Sequence, residues 1–381
     1  MSPRLPDQGR HPGDADRRSH GRTLKILLVR LRLIGDVVFT TPAITALRQR
    51  FPTARISYLV ELVAEPVVRG NPHLDEVIVV ERPRGWRRLR YDLALAARLR
   101  RARFDLVIDF HGGPRSAWLT RATGAARRIG YALPGRGWAY TEMLPWTPAL
   151  VPPRHSVENQ FDLLRPLGIP GAASEVPPVE MAEDAAAATS VARRLQNAGV
   201  PADSALVVMH VSAGNPFRRW PAGHFAEVAA TLARAQSSRR IIISSGPSER
   251  DSADIIAASA QSLAPDVAER ILRCGEFDLA ELRALVARAA LYIGGDSGPM
   301  HIAATTTVPI VALFGPTLPQ RSIPWRTSGT SAIGVDAGPL PCRPCHQRRC
   351  EPGDFRCLTR IEPARVIAAA EQLLHVENSR T

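Results

Sequence analysis

Residues 291–317, LYIGGDSGPMHIAATTTVPIVALFGPT, combine a carboxylate with small residues and a helix start. The apolar runs at both ends of this stretch predict two buried strands. Ser297 is a favourable N-cap residue, and proline is tolerated at the first helical positions, so we expect a helix to begin there. A helix N-terminus favours a phosphate, whereas Asp296 would repel one unless it binds hydroxyls or a cation. A nucleotide-sugar, with a diphosphate beside sugar hydroxyls, would satisfy both features.

A second carboxylate, Asp36, follows the first apolar run of the chain. Residues 25–30, KILLVR, predict the first strand of a parallel sheet, and residues 37–50 have a helical period. Pro42 either kinks that helix or starts its main part. Asp36 is a candidate for a helix cap and also for a general base, because ligands of open α/β sheets bind at the carboxyl ends of the strands. The residues alone leave both interpretations open.

The loop at residues 210–221, HVSAGNPFRRWP, follows another predicted strand. Its small residues would let the backbone approach a diphosphate, Ser212 can donate its O–H, and Arg218 can pair bidentately with a phosphate. The structural alternative is a solvated pair of arginines beside a tryptophan that packs.

Four of the five cysteines are clustered late in the chain. Four thiolates in one short loop can hold Zn²⁺ in a tetrahedral site, whereas reduced, packed thiols and disulfide pairing are the alternatives. We predict no catalytic role for them, because no general base stands nearby in the sequence. The four are Cys342, Cys345, Cys350 and Cys357.

The net charge of +13 calls for an anionic partner such as a nucleotide, a glycolipid or a membrane face. Residues 82–103 are rich in arginine, with Trp86 and leucines at helical spacing. They predict either a solvated amphipathic helix or a face that docks on an anionic membrane or a phosphorylated glycolipid. We find no nucleic-acid-binding motif, no apolar run as long as a membrane span, and no signal peptide in the polar segment 1–22.

Several motifs, taken in order, resemble glycosyltransferase family 9, the lipopolysaccharide heptosyltransferases. The motifs are RLRLIGDVVFTTPAITALRQRFP, RRIGY, HSVEN, GGDSGPMHIAA and ALFGPT, and the resemblance spans roughly residues 25–366. It implies an α/β fold with the GT-B architecture, in which two Rossmann-like domains face each other across a cleft. The expected organisation is a disordered basic tail (1–22), an acceptor domain (23–170), a linker (171–184), a nucleotide-sugar domain (185–360) and a C-terminal helix that crosses back to the first domain (361–381).

The resemblance also implies roles for individual residues. Asp36 falls on the position of the family's proposed catalytic base, and Gly35 would lie on the acceptor side. In the loop HGGPRS, Arg115 holds the family's basic position, and His111 replaces its usual glutamine. The acceptor-binding residues that the resemblance implies are Gly35, His111 and Arg115. Arg218 stands where the family commonly has the lysine of Lys-x-Trp-Pro, so charge is retained with a different geometry. The implied donor-binding residues are Ser212, Arg218, Glu249, Asp296, Ser297, Gly298 and His301, with Glu249 either capping a helix or binding ribose hydroxyls.

The implied reaction is the inverting transfer of a heptose from ADP-heptose to the lipopolysaccharide inner core, with Asp36 as general base. The enzyme would be cytoplasmic, peripheral to the inner face of the cytoplasmic membrane, and would require no metal for catalysis; Zn²⁺ would be structural only. One alternative is a GT-B enzyme that uses another nucleotide-sugar, a hexosyltransferase or an epimerase. The loop of Arg115 disfavours an epimerase, which needs no acceptor pocket. The other is a non-catalytic binding protein, which the presence of Asp36 disfavours.

Overall fold

The computed structural model describes residues 23–146, 153–171, 173–326 and 329–378, so the predicted tail at 1–22 lies outside the described residues. These residues form two six-stranded sheets in which neighbouring strands are parallel. The first has the order β3-β2-β1-β4-β5-β6, and its strands are β1 (Lys25–Val29), β2 (Arg55–Glu61), β3 (Glu76–Val80), β4 (Leu106–Asp109), β5 (Arg127–Tyr131) and β6 (Glu142–Leu144). The second has the order β12-β11-β10-β7-β8-β9, and its strands are β7 (Ala205–His210), β8 (Arg239–Ser244), β9 (Ile271–Leu272), β10 (Leu291–Gly295), β11 (Ile310–Phe314) and β12 (Ala332–Asp336).

Helices connect the strands, as parallel pairing requires. The helices before β7 are α1 (Ile34–Val38), α2 (Thr41–Arg50), α3 (Glu65–Val68), α4 (Trp86–Ala102), α5 (Pro114–Ala122), α6 (Ser156–Phe161) and α7 (Ala185–Asn197). Those after it are α8 (Ala222–Ala235), α9 (Arg250–Leu263), α10 (Leu279–Ala287), α11 (Gly298–Ala303), α12 (Pro319–Ser322), α13 (Arg356–Thr359) and α14 (Pro363–Asn378). Pro42 lies in the first turn of α2, so the prediction that it starts the main part of the helix is confirmed.

Both faces of each sheet are buried, which is why the strands read as nearly continuous apolar runs. In β1, Ile26 and Leu28 belong to a hydrophobic core that also contains Leu206 and Val208 of β7, so one core spans both halves of the chain. The opposite face of the first sheet packs on α4 and α5. The opposite face of the second sheet packs on α8, α9 and α14.

The C-terminal helix departs from its prediction. We expected it to cross back to the first domain, but α14 packs against α8 and the strands β10, β11 and β12 of the second. Its apolar face, with Val366, Ala370 and Leu373, fills the core of that domain. The Glu371 carboxylate also accepts hydrogen bonds of 2.5 and 2.6 Å from the two Nη atoms of Arg239, the first residue of β8. Apolar burial and this ion pair both hold α14 on the second domain.

Candidate active site

The predicted site residues lie beyond the carboxyl ends of central strands, in the loops and helices that follow them. Asp36 follows β1 and His111 follows β4, which is its neighbour in the first sheet. Ser212 follows β7 and Asp296 follows β10, which are neighbours in the second sheet. Because neighbouring parallel strands end at the same edge of a sheet, the segments after β1 and β4 lie side by side, and so do those after β7 and β10.

The short helices α1 and α11 bring the two edges together. A Cβ atom built on Gly35 of α1 would lie 2.5 Å from Cδ2 of His301 in α11. A Cβ atom on Gly298 of α11 would lie 2.9 Å from Cβ of Ile34 in α1. The His301 ring also lies edge-on to Phe39, with 4.4 Å between ring centroids. Gly35 and Gly298 thus permit an approach that a larger residue would prevent, and this places the helix of Asp36 beside the loop of Asp296.

Asp36 is held by a residue that the sequence reasoning missed. The guanidinium of Arg30, at the end of β1, forms an ion pair with Oδ2 of Asp36. Arg30 is only 8% exposed, and its Nη1 donates to the carbonyl oxygen of Phe110 at 2.5 Å. The Asp36 side chain remains partly exposed. The only signal in the sequence is a charged residue that closes an otherwise apolar strand, and such a residue needs a partner when it is buried.

His111 and Arg115 lie on the first domain, as predicted. Burial, followed by the nearby charges of Arg30 and Arg32, lowers the pKa of His111 to about 4, so its imidazole is neutral at pH 7. The Arg115 guanidinium is buried and donates to Oδ1 of Asp92 in α4 at 2.5 and 3.1 Å. Arg115 therefore ties α5 to α4. Its contact with an acceptor, like that of His111, stays a prediction.

Asp296 is the centre of a polar cluster at the carboxyl edge of the second sheet. It is 3% exposed, and its Oδ2 accepts from Oγ1 of Thr317 at 2.6 Å and lies 3.3 Å from Nη1 of Arg218. Its Oδ1 lies 3.4 Å from Nε2 of His301. Burial by itself would raise the pKa of Asp296, but His301, Arg218 and Thr317 together hold it below its usual range. The carboxylate therefore stays charged and orders its neighbours.

The two arginines of the 210–221 loop are both occupied by acidic partners. Nη1 of Arg218 also donates to the carbonyl oxygen of Asp296 at 2.9 Å, and its Nε donates to Oε1 of Gln347 at 2.8 Å. Nη2 of Arg219 donates to Oε1 of the buried Glu249 at 2.5 Å. Glu249 is the residue before α9, but its side chain forms no capping hydrogen bond, so the capping alternative is wrong. The ribose contact stays a prediction.

Two predicted serines behave differently from each other. The Ser212 hydroxyl is buried, shares a hydrogen bond of 2.9 Å with Nε2 of His210, and accepts the Gly246 N–H at 2.8 Å. It thus joins the loops after β7 and β8, and both contacts are within the protein. Ser297 precedes α11 as predicted, but its side chain makes no capping hydrogen bond, and its buried Oγ has no partner among the described residues.

The four late cysteines are free thiols that line one cavity of about 670 Å³. Burial is the main cause of a raised pKa for Cys357. Within the part of the chain that the structure describes, no group of three or more His, Cys, Asp or Glu side chains is arranged to hold a metal ion. The described geometry does not fit a preformed metal site, and Zn²⁺ binding stays a prediction.

The family model of glycosyltransferase family 9 (heptosyltransferase) matches residues 93–354. The chain belongs to this family. It is accordingly a glycosyltransferase, and the prediction made from its ordered motifs is confirmed.

Relatives in sequence and in structure agree with this assignment. The chain is 28% identical over 352 residues to lipopolysaccharide heptosyltransferase 3 of Escherichia coli, covering 90% of this chain and 97% of the relative. It is 28% identical over 378 residues to lipopolysaccharide heptosyltransferase 1 of Pseudomonas aeruginosa, covering 92% and 98%. A glycosyl transferase family 9 structure from Veillonella parvula superposes with a TM-score of 0.80 at 24% identity, covering 93% of this chain and 98% of that one. E. coli ADP-heptose lps heptosyltransferase II superposes with a TM-score of 0.74 at 21% identity, covering 93% and 100%. The predicted GT-B fold is confirmed.

Proposed function

We propose that this family 9 glycosyltransferase moves a heptose from ADP-heptose to the lipopolysaccharide inner core, with inversion and with Asp36 as general base. The observation that carries the proposal is the contact between α1 and α11, where Gly35 meets His301 and sets Asp36 beside the loop of Asp296. Similar structures of an E. coli heptosyltransferase contain ADP or ADP-2-deoxy-2-fluoro heptose, and relatives in sequence are named lipopolysaccharide heptosyltransferases. These names support the donor and acceptor classes proposed for this chain.

The reaction needs one proton acceptor and one stabilised leaving group. Asp36 accepts the proton of the acceptor hydroxyl as the hydroxyl oxygen attacks the anomeric carbon of the heptose. The new C–O bond forms on the face opposite the breaking bond to the diphosphate, so the configuration inverts. Arg30 keeps the Asp36 carboxylate oriented for this transfer.

The leaving diphosphate gains negative charge, and Arg218 is placed to meet it. Its Nε and Nη1 are held by Gln347 and Asp296, and among the described residues Nη2 has no hydrogen-bond partner. An arginine fixed on one side and open on the other suits an incoming phosphate. We infer that fixed arginine charge supplies this stabilisation, so no divalent metal is required for the transfer.

A direct assay tests the proposal. Purified protein is incubated with ADP-heptose and a core acceptor that lacks the added heptose, with and without a chelator, and the product is analysed by mass spectrometry. We expect the acceptor mass to rise by one heptosyl residue in both samples. Parallel reactions with other nucleotide-sugars test the hexosyltransferase alternative. Transfer of a different sugar, or no transfer of heptose, would refute the proposed donor.

The first half of α4 supports contact with an anionic membrane. Of the apolar residues expected along this helix, Leu95 and Leu99 are buried, but Trp86, Leu89 and Leu93 are largely exposed. Exposed arginines surround these residues, and the Arg90 guanidinium lies 5.4 Å from the Trp86 ring centroid. Further exposed apolar residues follow β2, the neighbour of β3, and β1, the neighbour of β2: Leu62, Val63 and Leu33. An apolar surface surrounded by basic residues, at the sheet edge that carries Asp36, suits an enzyme whose acceptor is anchored in lipid.

We expect the protein to pellet with anionic vesicles and to be released by salt, because exposed charges are screened beyond about 8–10 Å at physiological salt. The double variant Trp86→Ser/Leu89→Ser should bind these vesicles less than the wild type. A matched control is Ile255→Ser/Leu263→Ser on α9, where both residues are also exposed. Equal pelleting with neutral and anionic vesicles, or equal losses of binding in both double variants, would refute membrane contact by this surface.

Among the described residues, no helix is long and apolar enough to span a bilayer.

A further inference from the structure

The loop that carries the four cysteines reaches the donor site through one side chain, Gln347. Its Oε1 accepts two hydrogen bonds, from Nε of Arg218 at 2.8 Å and from Nδ2 of Asn215 at 2.9 Å. Both donors belong to the 210–221 loop, far away in the sequence. Gln347 has a φ of 57°, a left-handed conformation that is uncommon for a residue other than glycine. A residue held in this conformation commonly marks a functional constraint. Here the constraint is that the Gln347 Oε1 atom accepts hydrogen bonds from both Arg218 and Asn215.

The loop is fixed to the same strand end that supports Asp296. The Cys345 N–H donates to the carbonyl oxygen of Pro316 at 3.1 Å, and the Gln347 N–H donates to Sγ of Cys345 at 3.3 Å. The buried Arg343 side chain adds a 2.6 Å hydrogen bond from Nη2 to the carbonyl oxygen of Thr317. Pro316 and Thr317 follow β11, and Thr317 donates to Asp296. These contacts, and not the rest of the cysteine-rich loop, therefore fix the position of Gln347 relative to the cluster around Asp296.

The chemistry of the contact suits a support for Arg218. Asp296 holds Nη1 and Gln347 holds Nε, so two contacts fix the plane of the guanidinium before any ligand binds. Gln347 is neutral, so it orients Arg218 without offsetting the positive charge that a phosphate needs. An arginine that is already ordered loses less side-chain entropy when the ligand arrives.

We propose that Gln347 is a positioning residue that presets Arg218 for the diphosphate of the donor. The inference rests on the proposed function, because it requires Arg218 to contact that diphosphate. It gives the cysteine-rich loop a role in donor binding whether or not the loop holds a metal. The alternative for Gln347 is a purely structural link between two loops, which would affect folding and not the action of Arg218.

A double-mutant cycle separates the two roles. ADP binding is measured by calorimetry for the wild type, Gln347→Ala, Arg218→Ala and the double variant, together with their melting temperatures. We expect Gln347→Ala to raise the Kd for ADP on the order of tenfold, and to cause no further loss when Arg218 is already alanine. His346→Ala is the matched control, since His346 is the preceding residue of the same loop and its side chain is exposed. It should bind ADP like the wild type.

The outcomes distinguish this inference from the proposed function. Unchanged ADP affinity in Gln347→Ala, or losses that add up in the double variant, would overturn the inference and leave the proposed function standing. A wild type that binds UDP, GDP or CDP but not ADP would contradict the proposed donor, and the cycle is then run with the nucleotide that binds. A wild type that binds none of these diphosphates would overturn both, since Arg218 would then have no diphosphate to bind.

Discussion

Replacing Asp36 by asparagine should reduce turnover by on the order of a hundredfold or more, the usual scale for removal of a general base. Asparagine keeps the size of the side chain and an oxygen that can accept from Arg30, but it cannot take up a proton at neutral pH. Asp36 lies on the first domain, whereas the cluster around Asp296, which we propose binds the donor, lies on the second. We therefore expect the affinity for ADP-heptose and the melting temperature to stay near the wild-type values.

The matched control is Asp254→Asn. Asp254 also forms an ion pair with an arginine, Arg273, but it is exposed and lies on α9. Its replacement should leave turnover, donor affinity and melting nearly unchanged, because exposed ion pairs contribute little. Turnover and calorimetric titration are compared for the two variants under the same conditions. Normal turnover in Asp36→Asn would mean that Asp36 only positions α1, and the proposed mechanism would be wrong.

Most of the strands could be predicted from sequence, because buried parallel strands leave nearly continuous apolar runs, but β6, β9 and β12 were not predicted. The first strand, predicted at residues 25–30, is observed at Lys25–Val29. The apolar spacing of α4 does not show which of its apolar residues are buried. In its first half, Trp86 and Leu89 repeat with a helical period but remain exposed. Helical periodicity shows that the helix has an apolar face, whereas the tertiary structure decides whether that face is buried.

The partners of the site residues could not be predicted from sequence, because they are distant in the chain. Arg115 was expected at an acceptor, yet its guanidinium is shared with Asp92 and Glu61. Ser212 was expected to donate to a phosphate, yet its hydroxyl forms hydrogen bonds with the His210 imidazole and the Gly246 N–H. A side chain type shows which bonds are available, whereas packing selects which of them form.

The contacts of the Asp296 carboxylate could not be predicted from sequence either, and they affect its expected role in the mechanism. The sequence predicted that its carboxylate would contact donor hydroxyls directly. In the structure Oδ2 is already engaged by Thr317 and Arg218, and Oδ1 faces His301. We therefore expect Asp296 to act on the donor at least in part through Arg218, the arginine that it orders. A direct contact with sugar hydroxyls stays a prediction.

Asp296→Asn should weaken donor binding by about one to a few kcal/mol, because a charged hydrogen bond is lost and Arg218 is less well held. It should also lower the melting temperature, since an amide N–H₂ group would face the donors of Thr317, Arg218 or His301 in a buried site. The matched variant Thr317→Val removes one hydrogen bond to Oδ2 but keeps the carboxylate. Calorimetry and thermal melts should show a smaller loss for Thr317→Val than for Asp296→Asn. Equal and wild-type donor affinity in both would exclude Asp296 from the donor site.

The pH dependence of the melting temperature gives a second readout for the same carboxylate. The folded pKa of Asp296 is lower than its unfolded value of about 4, so the folded state binds fewer protons near that pH. The stability contributed by the charge is complete above about pH 4 and is lost as the pH falls through the lower folded pKa. The difference in melting temperature between the wild type and Asp296→Asn should therefore be largest near neutral pH and should shrink in acid, as the wild-type carboxyl becomes protonated. A difference that stays constant or grows toward low pH would show that the Asp296 charge is not what holds Arg218 in place.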